Sequence, residues 1–148
     1  MRVSIFALAF AACLAVPAAA QTEAADATQS PPLAPRTADS GLPLTAAQEA
    51  TGLPYLDLRL KVDPDTKSIS GDARYTIDAL APLDRFEVDL DPRFTITSVT
   101  VDGAPAQWEA DAGQLVIPLG KTLSTGDSAK VSIQWNGSPY IAKRPPWE

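Results

Sequence analysis

From Tyr55 onward the sequence is dominated by a hydrophobic alternation of period two, with no sustained helical period anywhere in that stretch. Leu56, Leu58, Leu60 and Val62 alternate with Tyr55, Asp57, Arg59 and Lys61. Successive side chains of a strand point to opposite faces, so this run reads as a strand with one apolar and one polar face. Asp63-Pro64-Asp65-Thr66-Lys67 is dense in turn formers, and Ile69, Gly71, Ala73, Tyr75 and Ile77 then alternate again, which predicts a hairpin. Phe86, Val88 and Leu90 mark a third strand. A fourth runs from Phe94 to Val101, with a change of parity at Thr97-Ser98 that predicts a bulge. Asp102-Gly103 is a strong hairpin signal, expected to join Val99-Val101 to a short strand around Gln107-Trp108-Glu109. Asp111-Ala112-Gly113 turns again, Gln114 to Leu119 is a brief strand, and Gly120 to Asp127 reads as a loop. Ala129, Val131, Ile133 and Trp135 form the last strand, closed by Asn136-Gly137. Seven or eight short strands with frequent turns predict an all-β fold, an antiparallel β-sandwich. Its expected interior includes Leu58, Leu60, Phe86, Val88, Val131, Ile133 and Trp135.

The first 54 residues have a different character. Arg2, the apolar run Val3 to Val16 and the small residues Ala18-Ala19-Ala20 predict a signal peptide over 1–20, and with it an exported protein, periplasmic or secreted. At fourteen residues this almost unbroken run falls short of the ~20 needed to span a bilayer, so no permanent membrane span is expected. Lipid attachment at Cys13 is disfavoured because Phe10 stands where a lipobox usually has Leu and the apolar run continues past the cysteine. Residues 21–54, rich in Ala, Thr and Pro, read as a flexible linker. Within it, Thr45 and Gln48 have the spacing of a reciprocal helix cap. The β-sandwich domain is expected over 55–148.

Composition excludes several kinds of chemistry. Eighteen acidic residues against twelve Lys plus Arg give a net charge of -6, and the main basic grouping is Lys143-Arg144, so nucleic acid is not an expected partner. Histidine is absent, and the single cysteine, Cys13, lies in the signal. Imidazole acid-base catalysis, Ser-His-Asp and Cys-His systems and ordinary zinc sites therefore have no residues to build them. The sequence offers no catalytic, cofactor-binding or metal-ligating residues, and no cofactor is expected in this chain.

The remaining motifs have simpler readings. Gly120-Lys121-Thr122 lacks the glycine spacing and following helix of a phosphate loop. Asp63 and Asp65 open like a calcium loop, but Lys67, Ser68 and Arg74 stand where a ligand, glycine and glutamate belong, so a hairpin turn is expected. Glu87, Asp89 and Asp91 share a strand face that could raise a pKa or hold a hard cation, but a solvated outer face is the simpler expectation. Trp108 and Trp135 read as sheet-packing residues within strands, and Asn136-Gly137-Ser138 as a strand-ending turn.

The order of these segments resembles the N-terminal β-domain of secreted zinc aminopeptidases related to aminopeptidase N and leukotriene hydrolase. The resemblance is carried by Tyr55-Leu56-Asp57-Leu58, with its leucines one place earlier than in the family, the Asp63 to Lys67 turn and Ile69-Ser70-Gly71. Further along it is carried by Val99 to Gly103, Leu115 to Leu119, Thr125-Gly126-Asp127 and Val131 to Gly137. Ser138-Pro139, Ala142 and Pro145-Pro146-Trp147-Glu148 are similar to a stretch that continues in bacterial members into a Gly-Gly pair and further strands. The resemblance implies a non-catalytic domain, incomplete at its C-terminus, that scaffolds the catalytic domain of a zinc-dependent parent aminopeptidase and shapes access of peptide N-termini. The family's His-Glu-x-x-His helix, distant Glu ligand and amine-binding residues have no counterpart here, so zinc is implied for the parent and for no residue of this chain. An exposed sheet edge open to self-association is a further expectation. The alternative reading is an independent periplasmic β-sandwich binding or adhesion module.

Overall fold

In the computed structural model, Ala34, Arg36 and residues 41–140 are described. The expected signal peptide with Cys13, most of the expected linker and the Pro145 to Glu148 segment lie outside the described residues. Eight strands follow a one-turn helix α1 (Ala46–Glu49): β1 (Thr51–Asp63), β2 (Ser68–Ala79), β3 (Leu83–Asp89), β4 (Phe94–Val101), β5 (Ala104–Pro105), β6 (Glu109–Asp111), β7 (Gln114–Leu123) and β8 (Ser128–Gly137). They form a five-stranded sheet of order β1-β2-β8-β4-β5 and a three-stranded sheet of order β3-β7-β6. All the pairings are antiparallel, as the alternating sequence predicts.

The core lies where the two sheets face each other. Ile77 and Ala79 of β2, Ala129, Val131 and Ile133 of β8 and Val99 of β4 pack with Leu83 and Phe86 of β3 and with Leu115, Ile117, Leu119 and Leu123 of β7. No residue of β1 belongs to this buried set. The expected interior is thus confirmed for Phe86, Val131 and Ile133, Val88 and Trp135 are partly buried against it, and Leu58 and Leu60 are corrected to exposed positions. The reason is sheet width. Alternation gives β1 an apolar face, but three strands cannot cover five, and β1 is the outermost strand of the wider sheet.

Several boundaries differ from the sequence reading. β1 begins at Thr51, inside the expected linker, and its ladder with β2 is irregular between Gly52 and Tyr55. Helix α1 also lies inside that expected linker, capped reciprocally by Thr45 and Gln48, with Ala47 buried in the core. β7 continues through Gly120-Lys121-Thr122 to Leu123, because its buried end pairs with Leu83; the expected loop there is half strand. The Asp102-Gly103 hairpin forms, but its returning strand is Ala104–Pro105, and Trp108 lies outside the strands with 40% of its surface exposed. The bulge expected at Thr97-Ser98 is present as a register shift between Ile96 and Ser98.

Candidate interaction surface

The acidic residues that the sequence places on one strand face are each engaged separately. Glu87 is buried, not solvated: its carboxylate accepts from the Thr45 hydroxyl at 2.5 Å, from Arg85 Nε at 2.7 Å and from Gln114 Nε2 at 3.4 Å. The segment leading into α1 covers this face, which no pattern within β3 reveals. Burial works against the charge on Glu87, but the Thr45 and Arg85 hydrogen bonds outweigh it and hold its pKa below the ordinary glutamate value. Asp89 pairs with Arg36 at 2.8 Å and Asp91 with Arg93 at 2.6 Å. No group of three His, Cys, Asp or Glu residues that could hold a metal occurs among the described residues.

The turn that opens like a calcium loop spends its first carboxylate locally. Asp63 Oδ1 accepts the backbone N–H groups of Asp65 at 3.0 Å and Thr66 at 3.1 Å, which lowers the Asp63 pKa. An open depression of about 450 Å³ beside Val101 and Gly120 brings together only Asp102 and Lys121 as charged groups. The Asp102 carboxylate there already accepts from the Lys130 backbone N–H at 2.8 Å.

What the fold does present is β1 itself. Leu56 and Leu58 are each 47% exposed, Leu60 54% and Val62 62%, a row of four apolar side chains on the inner face of the wider sheet, beyond the reach of the narrower one. Leu56 and Leu58 of this row line a mostly apolar groove of about 180 Å³, with Tyr75, Ile133 and Trp135 contributed by the wider sheet and Val88, Asp89 and Leu90 by the chain around the end of β3. The Tyr75 ring tilts against Phe86 with centroids 5.1 Å apart, and burial pushes its hydroxyl pKa up. Trp135 lies across Gly71, its cross-strand neighbour.

The opposite face of the same strands is a lattice of charges. Asp57 pairs with Arg59 at 3.0 Å within β1, and Asp72 with Arg74 at 2.7 Å within β2. The register sets Asp57 beside Arg74 and Arg59 beside Asp72, so unlike charges are neighbours along and across the strands. Hydrogen bonding to Arg74 holds the Asp72 pKa below the ordinary value. One face of β1 therefore carries paired charges, while the other is apolar and half exposed.

No protein-family model matches the sequence, and a search of curated proteins finds no match. The solved structures do share this architecture. An M1 zinc metallopeptidase from Deinococcus radiodurans superposes with a TM-score of 0.58 at 24% identity, over 69% of this chain and 25% of that one. A mutant of the Deinococcus enzyme with a bound Tyr-Ser-Ala substrate gives the same score over 67% of this chain and 23% of that one. Native yeast LTA4 hydrolase gives 0.52 at 23% identity, over 61% of this chain and 15% of the hydrolase. The chain has an M1 N-terminal-domain-like fold. It spans about a quarter or less of the length of these structures. Their likeness to it is one of architecture, confined to β-sheets of the kind described.

Proposed function

We infer that this chain is the non-catalytic N-terminal β-domain of an exported M1-type zinc aminopeptidase. Its role there is to brace the catalytic domain and to shape the approach of peptide N-termini. The observation that carries this reading is the match of two thirds of the chain to the N-terminal region of a metallopeptidase, in a domain whose described residues hold no group of three His, Cys, Asp or Glu that could bind a metal.

Zinc, which such a parent would use, does not fit the residues present. The sequence has no histidine, and the described carboxylates nearest one another are held by Arg36, Arg85 and Arg93 or by backbone N–H groups. A borderline-soft ion that favours nitrogen and sulfur ligands finds neither imidazole nor thiolate among the described residues. The metal belongs to the catalytic portion in this reading, and no step of catalysis is assigned to this chain. Export rests on the Met1 to Ala20 pattern.

The coding DNA beyond the Glu148 codon tests the proposal directly. A frame, in phase or one slip away, that goes on to encode Gly-Gly strands and a His-Glu-x-x-His motif supports it. Unrelated sequence in every frame overturns it and favours the independent binding module.

A further inference from the structure

β1 is an edge strand whose own sequence is complementary to itself. Among the described residues it pairs only with β2, so along its length every other residue directs its backbone N–H and C=O away from the sheet. Its regular ladder runs from Tyr55 to Asp63, after the irregularity at Gly52, and the midpoint of that stretch is Arg59. Edges of this kind are usually blunted by a proline, a bulge or an inward-pointing charge. Pro54 and the irregularity fall before Tyr55, and the inner-face residues from Leu56 to Val62 carry no charge.

We propose that a second copy of this chain pairs antiparallel with β1 about a two-fold axis at Arg59, joining two five-stranded sheets into one. A two-fold operator requires the same patch on both partners, so residue pairs must repeat symmetrically. Only a register that keeps each face with its like avoids setting leucines against charges. Centred on Arg59, Asp57 lies opposite Lys61 of the second copy, twice by symmetry. On the inner face Leu58 lies opposite Leu60 and Leu56 opposite Val62, again twice each. Moving the centre one residue on, to Leu60, sets Arg59 against Lys61 and Asp57 against Asp63, which like-charge repulsion disfavours. Moving it one residue back, to Leu58, brings Pro54, which has no N–H to give, into the ladder. At the axis the two Arg59 side chains face each other, each already held by Asp57 of its own strand through Nη2 at 3.0 Å and Nε at 3.4 Å. The exposed leucine rows then run on from one copy to the other.

Sedimentation equilibrium on the purified full chain, from micromolar to near-millimolar concentration, tests this. The expected result is a monomer–dimer equilibrium. D57K or K61D alone should weaken dimerisation about tenfold or more, since each turns two favourable cross-strand pairs into repulsive ones. The exchanged double variant D57K/K61D should recover it. In a Cys13→Ala background, Arg59→Cys should yield a covalent dimer on oxidation. Asp57→Cys should not, because its copy lies about 13 Å away along the partner strand. A chain that stays monomeric throughout overturns the proposal. So does a dimer indifferent to the single charge changes, a double variant no better than either single one, or equal cross-linking at residues 57 and 59. Thermal melts of each variant confirm that folding is retained.

Discussion

Gly71 has no side chain because Trp135 occupies the space where one would be. The two are cross-strand partners of β2 and β8, and a Cβ placed on Gly71 would lie 2.2 Å from Cζ2 of the indole and 2.5 Å from Cε2. The backbone of Gly71 is ordinary extended strand, so the constraint is one of contact and not of dihedral freedom. Gly71→Ala should therefore destabilise the domain by about 1–3 kcal/mol through overpacking. In a Trp135→Leu background the same substitution should cost clearly less. A double-mutant cycle by urea denaturation measures the coupling, and equal costs in both backgrounds would show that the glycine is needed for another reason.

The two apolar rows of the wider sheet should respond very differently to mutation. Val131 is fully buried between the sheets, so Val131→Asp should leave no folded protein at room temperature by circular dichroism. Ile117→Ala, also in the core, should cost about 2–5 kcal/mol. Leu58→Ala, at a position 47% exposed, should cost roughly 1 kcal/mol or less. Equal losses for Leu58→Ala and Ile117→Ala would mean that β1 is covered in solution.

That contrast marks how far the sequence could be read. Alternation identified every long strand, the Thr97-Ser98 parity change located a bulge, and Asp102-Gly103 located a hairpin, because each of these is written in neighbouring residues. Which apolar face is covered depends on the width of the opposing sheet, and no strand encodes the width of another. Glu87 shows the same limit: β3 reads as apolar in and acidic out, but Thr45, 42 residues earlier, comes back to cover the acidic side. Gly52 and Pro54 hid the start of β1 by resembling linker, and Gly120 hid the second half of β7 by resembling a loop. The lack of histidine needed no fold to be read, since a residue type missing from the composition cannot be restored by folding.

Thr45 serves two elements, which makes it the most informative single polar position. Its hydroxyl accepts the Gln48 N–H at 3.1 Å to cap α1 and donates to the Glu87 carboxylate. Thr45→Ala removes the cap and one partner of a buried charge together, so the expected loss is about 1–3 kcal/mol. Thr45→Ser keeps both hydrogen bonds and should lose far less. The midpoint of chemical denaturation for the two variants checks the difference.

The pH dependence of stability has a definite sign. Glu87, Asp63 and Asp72 all have folded pKa values below their ordinary ones, so their unfolded forms bind protons more readily. Their stabilisation is complete above the ordinary carboxylate values of 4.5 and 3.8 and is lost as pH falls below them. Melting temperature should accordingly be flat near neutrality and drop in acid. Glu87→Gln should be less stable at neutral pH and less sensitive to acid, since it removes the depressed group that the second sheet and α1 share. A wild-type melting temperature that rises on acidification contradicts the assignment.

Metal chemistry gives the sharpest separation between this chain and a whole peptidase. With no imidazole and no three-residue cluster of acidic or sulfur donors among the described residues, nothing assembles the nitrogen- or sulfur-rich set that holds zinc. The buried Glu87 carboxylate, for its part, is already engaged by Thr45 and Arg85 inside the fold. The purified chain should therefore contain no stoichiometric zinc by elemental analysis, melt at the same temperature with and without a chelator, and release no amino acid from leucine or alanine anilides. A chelator-dependent melting temperature, or hydrolysis above blank that a chelator abolishes, would mean that residues outside 41–140 complete a site.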